Sequence, residues 1–142
     1  MTQFKKIVVA VDESEPSKRA VELARDLAVV SGGDVLLVHV HERQLVPGRF
    51  GSAVEVEDSD EVTSMFQQEV GVLTAAKISS DTEIRQAHFG HAAQQIVDAA
   101  ETAGADVIVM GTRGRSEIVA ALLGSTAYKV LHLSTCPVLV VS

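Results

Sequence analysis

Three apolar runs constrain this chain more than any other feature: Ile7–Val11, Val35–Val40 (interrupted only by His39) and Val107–Met110. Each has the length of a strand, and none shows the alternation of a strand with one wet face. Such runs are explained when both faces of the strand are covered, the situation of central strands in a parallel sheet. The segment between the first two runs reads as a helix. Ser14 can cap it and Pro16 is tolerated in its first turn. Ala20, Leu23, Ala24, Leu27 and Val30 then keep helical spacing, and Gly32-Gly33 closes the helix. Strand, helix and strand in succession form a βαβ unit, whose crossover is right-handed.

The rest of the chain repeats the alternation. A helix is predicted from near Ser59, with Val62, Phe66, Val70 and Leu73 on one face and Gly71 interrupting it. Thr82 to His88 alternates polar and less polar residues, as an edge strand does. Ala93, Ile96, Val97 and Ala100 make the stripe of a further helix, ended by Gly104. A fourth strand, Asp106 to Met110, precedes a last short helix from Ser125 to His132. Pro137 then restarts the chain as a fifth strand, Val138 to Val141. The stretch from His41 to Ser59, with Glu55, Glu57, Asp58, Asp60 and Glu61 at or near its end, reads as a solvated loop or helix start. These residues specify an α/β fold: a single domain over residues 1–142, with a five-stranded, mostly parallel open sheet and helices on both faces. Strand order does not follow from them.

The fourth strand stops at Gly111-Thr112-Arg113-Gly114, and the next helix opens on Gly124-Ser125-Thr126. Glycine lets backbone N–H groups approach an anion without a Cβ in the way. A helix start adds unpaired donors and the positive end of the dipole. Phosphate binding is therefore one reading, and a plain strand–turn–helix connection is the other. The loop is neither a G-x-x-x-x-G-K-[ST] phosphate loop nor a G-x-G-x-x-G dinucleotide fingerprint, since the sequence contains neither.

The pattern G-x2-G-x9-G-[S/T], between Val107-Ile108-Val109-Met110 and Cys136-Pro137-Val138-Leu139-Val140-Val141, resembles the universal stress protein family. So do Lys6-Ile7-Val8-Val9-Ala10-Val11-Asp12-Glu13-Ser14 and Leu36-Leu37-Val38-His39-Val40, so the resemblance spans essentially the whole chain. It implies strand order 3-2-1-4-5 and an adenine nucleotide alpha hydrolase-like fold. The full glycine pattern is similar to that of the ATP-binding branch. In a sheet of that order, ligands bind beyond the carboxyl ends of the first and fourth strands. Carried over, the resemblance expects Ala10, Val11 and Asp12 at the adenine or its ribose, and Val40 offering backbone groups to the base. Met110 and Gly111 lead into the phosphate loop, and Gly114 lets the chain pass close to the phosphates. Gly124, Ser125 and Thr126 meet the β- and γ-phosphates, with Mg²⁺ or Mn²⁺ bridging their oxygens. Arg113 and Arg115 are read equally as positive charge for the phosphates and as solvated side chains. Asp12 has a second reading as a helix cap, and Ser125 as an ordinary N-cap.

The implied function is a nucleotide-dependent stress-response or regulatory module. The alternatives are a weak ATPase or autophosphorylating enzyme, and a binder of cyclic AMP or AMP. No general base stands at an identifiable spacing, which favours binding over fast turnover. Val138–Val141 on an exposed edge is expected to pair across a twofold axis as a homodimer, as the resemblance also implies.

Composition narrows the partners. A formal charge of −7 argues against nucleic acid, which needs a basic surface. No apolar stretch approaches the ~20 residues of a membrane span, and the start of the chain does not read as a signal peptide. The lone Cys136 forms no internal disulfide and is expected as a small buried hydrophobe, so the chain reads as cytoplasmic. The resemblance also implies that His39 is buried and not a ligand, and the other histidines lack the spacing of a metal site.

Overall fold

The computed structural model describes residues 3–45, 53–55, 59–112 and 123–142. In chain order the elements are β1 (Lys6–Ala10), α1 (Glu15–Ser31), β2 (Asp34–Leu45), β3 (Ala53–Glu55), α2 (Ser59–Ala75), β4 (Ser80–His88), α3 (Ala92–Ala103), β5 (Val107–Gly111), α4 (Ser125–Leu133) and β6 (Val138–Val141). Five strands are parallel and lie in the order β4-β2-β1-β5-β6, which is 3-2-1-4-5 counted along the chain. The short β3 is an addition to the expected set. It runs antiparallel to the end of β2, from Arg43↔Glu55 to Leu45↔Ala53. Arg43 pairs with His88 of β4 on its other edge. β3 therefore lies on the edge of β2 that β1 leaves vacant beyond Ala10.

The central strands are covered on both faces, as their unbroken apolar character requires. Ile7 and Val9 of β1, and Val11 just past it, join Val35, Leu37, Val107 and Val109 under α1 and α2. Val8, Val38, Ile108 and Met110 face the other way, under α3 and α4. Ile7, Leu37 and Ile108 are fully buried. Truncating a side chain of this kind to alanine typically costs about 2–5 kcal/mol, transfer and cavity combined.

α1 begins as its sequence predicts. Ser14 is the N-cap and its side chain accepts from the Ser17 N–H; Gly32 closes the helix at φ +71°, its N–H donating to the Ala28 carbonyl. One expectation is corrected. Val30 does not join the buried face but is 89% exposed. The buried seam is Ala20, Val21, Ala24 and Ala28, with Leu23 and Leu27 at its margin. At 3.6 residues per turn Val30 stands roughly 120° around from Ala24, so steps of three and four had drifted off the seam. Cys136 is likewise only partly buried, with the Ser134 hydroxyl 3.5 Å from its sulfur. α3 buries Ala93, Ile96, Val97 and Ala100 as its stripe predicts. Among the described residues β4 pairs only with β2, as an edge strand does.

Candidate functional site

The register brings the ends of β1 and β5 together beside the middle of β2. Ala10 pairs with Val38 on one side and Met110 on the other. The Val11 N–H continues the ladder by donating to the Val38 carbonyl at 2.8 Å. Asp12 thus stands level with Val40, two residues beyond the last β1 pair, where β1 has ended and β2 continues beside β4. The buried His39 anchors this end. Its Nδ1 lies 2.8 Å from the Val11 carbonyl, which can only accept, so Nδ1 carries the proton. The His39 ring also meets Phe66 of α2 edge-on, with centroids 6.4 Å apart.

Asp12 and Ser14 shape the turn from β1 into α1. The Asp12 N–H donates to the Ser17 hydroxyl at 2.9 Å, and Asp12 Oδ1 accepts the Ser14 N–H at 2.8 Å. Ser14, not Asp12, is the helix cap. The Asp12 carboxylate is a turn-forming group at the mouth of the cleft, with its side chain only partly buried.

Across the cleft β5 leads into the glycine loop. Gly111 pairs with Val141, and the Thr112 N–H donates to the Val141 carbonyl at 2.7 Å. The Gly124 N–H donates to the Thr112 carbonyl at 2.6 Å, which pinches the two ends of the loop together. Arg113, Gly114 and Arg115 lie outside the described residues. Gly111 serves packing: a Cβ there would stand 2.7 Å from Pro16 Cβ and 3.2 Å from the Ser17 nitrogen. Gly124 is the N-cap of α4 at φ −62°, ψ 154°, without a side chain to cap the first turn. The N–H groups that open α4 at Ser125 and Thr126 therefore lack a side-chain cap at the end of the same cleft. Met110 is buried beneath, and Ser125 is exposed.

Sequence reasoning passed over Glu69. It sits on the inner face of α2 between Phe66 and Leu73, is 5% exposed, and neither carboxylate oxygen has a hydrogen-bond partner. Burial, with help from the Asp12 carboxylate, pushes its pKa from 4.5 up to about 8, while Lys18 pulls the other way. The signal was legible: position 69 falls in the stripe that holds Val62, Phe66 and Leu73. Glu69 and Asp12 share the wall of a cavity of about 570 Å³ between α1 and α2. No group of three or more His, Cys, Asp or Glu side chains is arranged to hold a metal ion among the described residues.

The family model described as the universal stress protein family matches residues 3–142. The chain belongs to the universal stress protein family. Universal stress protein YxiE of Bacillus subtilis is 33% identical over 146 residues, covering 97% of this chain and 99% of its own. Among solved structures, the universal stress protein of Archaeoglobus fulgidus in complex with dAMP superposes with a TM-score of 0.73 at 25% identity, covering all of both chains. A universal stress protein in complex with cAMP gives a TM-score of 0.69 at 27% identity, over 98% of this chain and 97% of that one. The two solved structures share the α/β fold of this chain. No helix among the described residues is long and apolar enough to cross a membrane.

Proposed function

We propose that this universal stress protein domain, residues 1–142, binds ATP in the cleft at the carboxyl ends of β1 and β5 and works in the cytoplasm as a nucleotide-dependent regulatory module. The observation that carries the reading is the convergence there of Asp12, Val40 and the uncapped start of α4. Ala10, Val11, Asp12 and Val40 hold the adenosine end, while Met110 and Gly111 lead the chain toward the phosphates. Gly124, Ser125 and Thr126 present N–H groups and hydroxyls to the β- and γ-phosphates, and Arg113, Gly114 and Arg115 complete the loop. Mg²⁺ or Mn²⁺ enters with the nucleotide, held mainly by phosphate oxygens. Hydrolysis, where it occurs, is slow, because no general base stands at an identifiable spacing in the sequence.

Gly124→Ala tests the phosphate cradle. Its backbone angles suit any L-residue, so the substitution adds a Cβ without backbone strain. ATP affinity measured by calorimetry is expected to fall more than tenfold, about 1.4 kcal/mol, with the melting temperature nearly unchanged. Unchanged ATP affinity would remove the main support for this reading. The dAMP and cAMP complexes of relatives favour a second reading, in which the ligand carries a single phosphate. Ser125→Ala separates the two, since a hydroxyl on the γ-phosphate matters for ATP and hardly for AMP.

We also propose a homodimer through β6. Val138–Val141 pairs only with β5, leaving one edge of the strand without a described partner, and Leu139 is 37% exposed. α4, which packs against β6, exposes Leu131 and Leu133. Light scattering at micromolar concentration is expected to give a dimer that Leu139→Lys converts to monomer. A monomeric wild-type protein would refute the interface.

A further inference from the structure

The cavity between α1 and α2 has a chemistry opposite to that of a phosphate site. Its wall carries Asp12 and Glu13 from the turn after β1, Glu22 from α1, and Asp60, Glu61 and Glu69 from α2. Lys18 is the one cation among the described lining residues, and its ammonium already pairs with Glu15 at 3.1 Å. A nucleotide phosphate placed here would meet six acidic side chains. The overall charge of −7 adds a field that draws cations toward the surface.

Glu69 is the observation that makes this more than an acidic surface. It is 95% buried by its 5% exposure, it lines the cavity, and both of its oxygens lack a partner. Buried polar groups are almost always hydrogen-bonded, and one left unsatisfied is costly. A leucine on this face would pack without that cost. The carboxylate at this position is thus suited to a donor that comes from outside the chain.

The rest of the wall narrows the donor. Val21, Met65 and Val72 also line the cavity and contribute only apolar surface. A bare divalent cation wants about six oxygens converging on one point, and no such cluster exists among the described residues. An alkyl chain with an ammonium at each end suits this surface instead, its methylenes on the apolar side chains and its charges on the carboxylates. The volume of about 570 Å³ is within the range of small-molecule sites. We infer that the α1–α2 cavity is a binding site for an aliphatic diamine or polyamine, with Glu69 as the buried anchor for one ammonium and Glu22, Asp60 and Glu61 receiving the others at the rim.

Proton linkage follows from the same geometry. Glu69 shares the cavity wall with Asp12 and Glu13 from the turn after β1, Lys18 and Glu22 from α1, and Asp60 and Glu61 on its own helix. With its proton held up to about pH 8, Glu69 must ionise to receive an ammonium. Alkyl ammonium groups stay charged well above that pH, like lysine near 10.4. Affinity should therefore rise between about pH 6 and pH 8, and binding near neutrality should release a proton.

The test uses the full chain, with spermidine and putrescine as probes, followed by amide chemical shifts and by calorimetry in two buffers of different ionisation enthalpy. Spermidine is expected to shift residues of α1 and α2 selectively, to release close to one proton at pH 7, and to bind at least tenfold more weakly to Glu69→Gln. Glu22→Gln, at an exposed rim position, should weaken binding a few-fold and serves if Glu69→Gln folds poorly. n-Butylamine, with one charge, should bind more weakly than putrescine. Three results would each overturn the assignment: no saturable binding, equal affinity in wild type and both variants, or displacement of spermidine by an equal concentration of Mg²⁺. The last would mark the cavity as a metal site instead.

Discussion

Glu69→Gln is expected to abolish a fall in stability that the wild-type protein shows as pH rises from 5 to 8. In the unfolded chain Glu69 titrates at its ordinary value of 4.5, whereas in the folded chain burial first, and the Asp12 carboxylate second, hold the proton until about pH 8. Between those values the folded state binds one proton more than the unfolded state. Stability then decreases with rising pH, by about 1.4 kcal/mol per unit for one group. Below pH 4.5 both states are protonated, and above pH 8 both are ionised, so the slope from this group vanishes outside the window. Across pH 5 to 8 the loss is on the order of 4 kcal/mol, a large share of the 5–15 kcal/mol typical of a domain. Glutamine keeps the shape and does not titrate. Urea unfolding at pH 5, 6.5 and 8, without added amine, should show wild type and Glu69→Gln diverging as pH rises. Parallel curves would mean that Glu69 is ionised in the folded protein and that its burial does not control its titration. Saturating spermidine should restore part of the wild-type loss at pH 8, because a ligand that binds only the folded state adds stability by mass action.

The second large effect belongs to two glycines and has opposite signs. Gly111→Ala places a Cβ 2.7 Å from Pro16 Cβ and 3.1 Å from the Pro16 carbonyl carbon. Pro16 is buried in the first turn of α1 and its ring has fixed geometry, so β5 and α1 must separate for the methyl group to fit. Overpacking of this kind costs about 1–3 kcal/mol, which for a chain of this size lowers the melting temperature by roughly 4–10 °C. Gly71→Ala meets nothing within 4 Å in the middle of α2 and should stabilise by roughly 0.5–1 kcal/mol through helix propensity. Thermal unfolding followed by circular dichroism reads both. If Gly111→Ala melts with the wild type, the glycine is not required for the contact between β5 and α1.

The first glycine of the loop shows how a motif can be recognised correctly and explained incompletely. Spacing alone marked Gly111 as the entrance to a phosphate loop. In the fold it permits a close approach of β5 to the start of α1, made by two segments about ninety-five positions apart in the chain. Gly124 behaves otherwise. Its φ of −62° needs no glycine, so the absence of a side chain there leaves room beside the α4 donors. Two glycines of one pattern thus do different work, and only their surroundings distinguish them.

What residues i and i+2, or i and i+4, reveal was available from the chain itself. Unbroken runs such as Ile7–Val11 and Val107–Met110 can be stable only with both faces covered, and that alone requires helices on both sides of a parallel sheet. The cap at Ser14, the closures at Gly32 and Gly104, and the alternation of β4 are equally local and equally legible. Local pattern could not say which strands are neighbours, because register depends on pairings between segments far apart. The order β4-β2-β1-β5-β6, and with it the meeting of Asp12, Val40 and Gly124, needed either a related family or the tertiary structure. The same holds for Val30, whose exposure is set by how α1 rolls on its alanine seam. It holds most of all for Glu69: the chain displays a carboxylate in an apolar stripe, but only the packing of α2 against α1 and the sheet buries it, strips it of partners and raises its pKa.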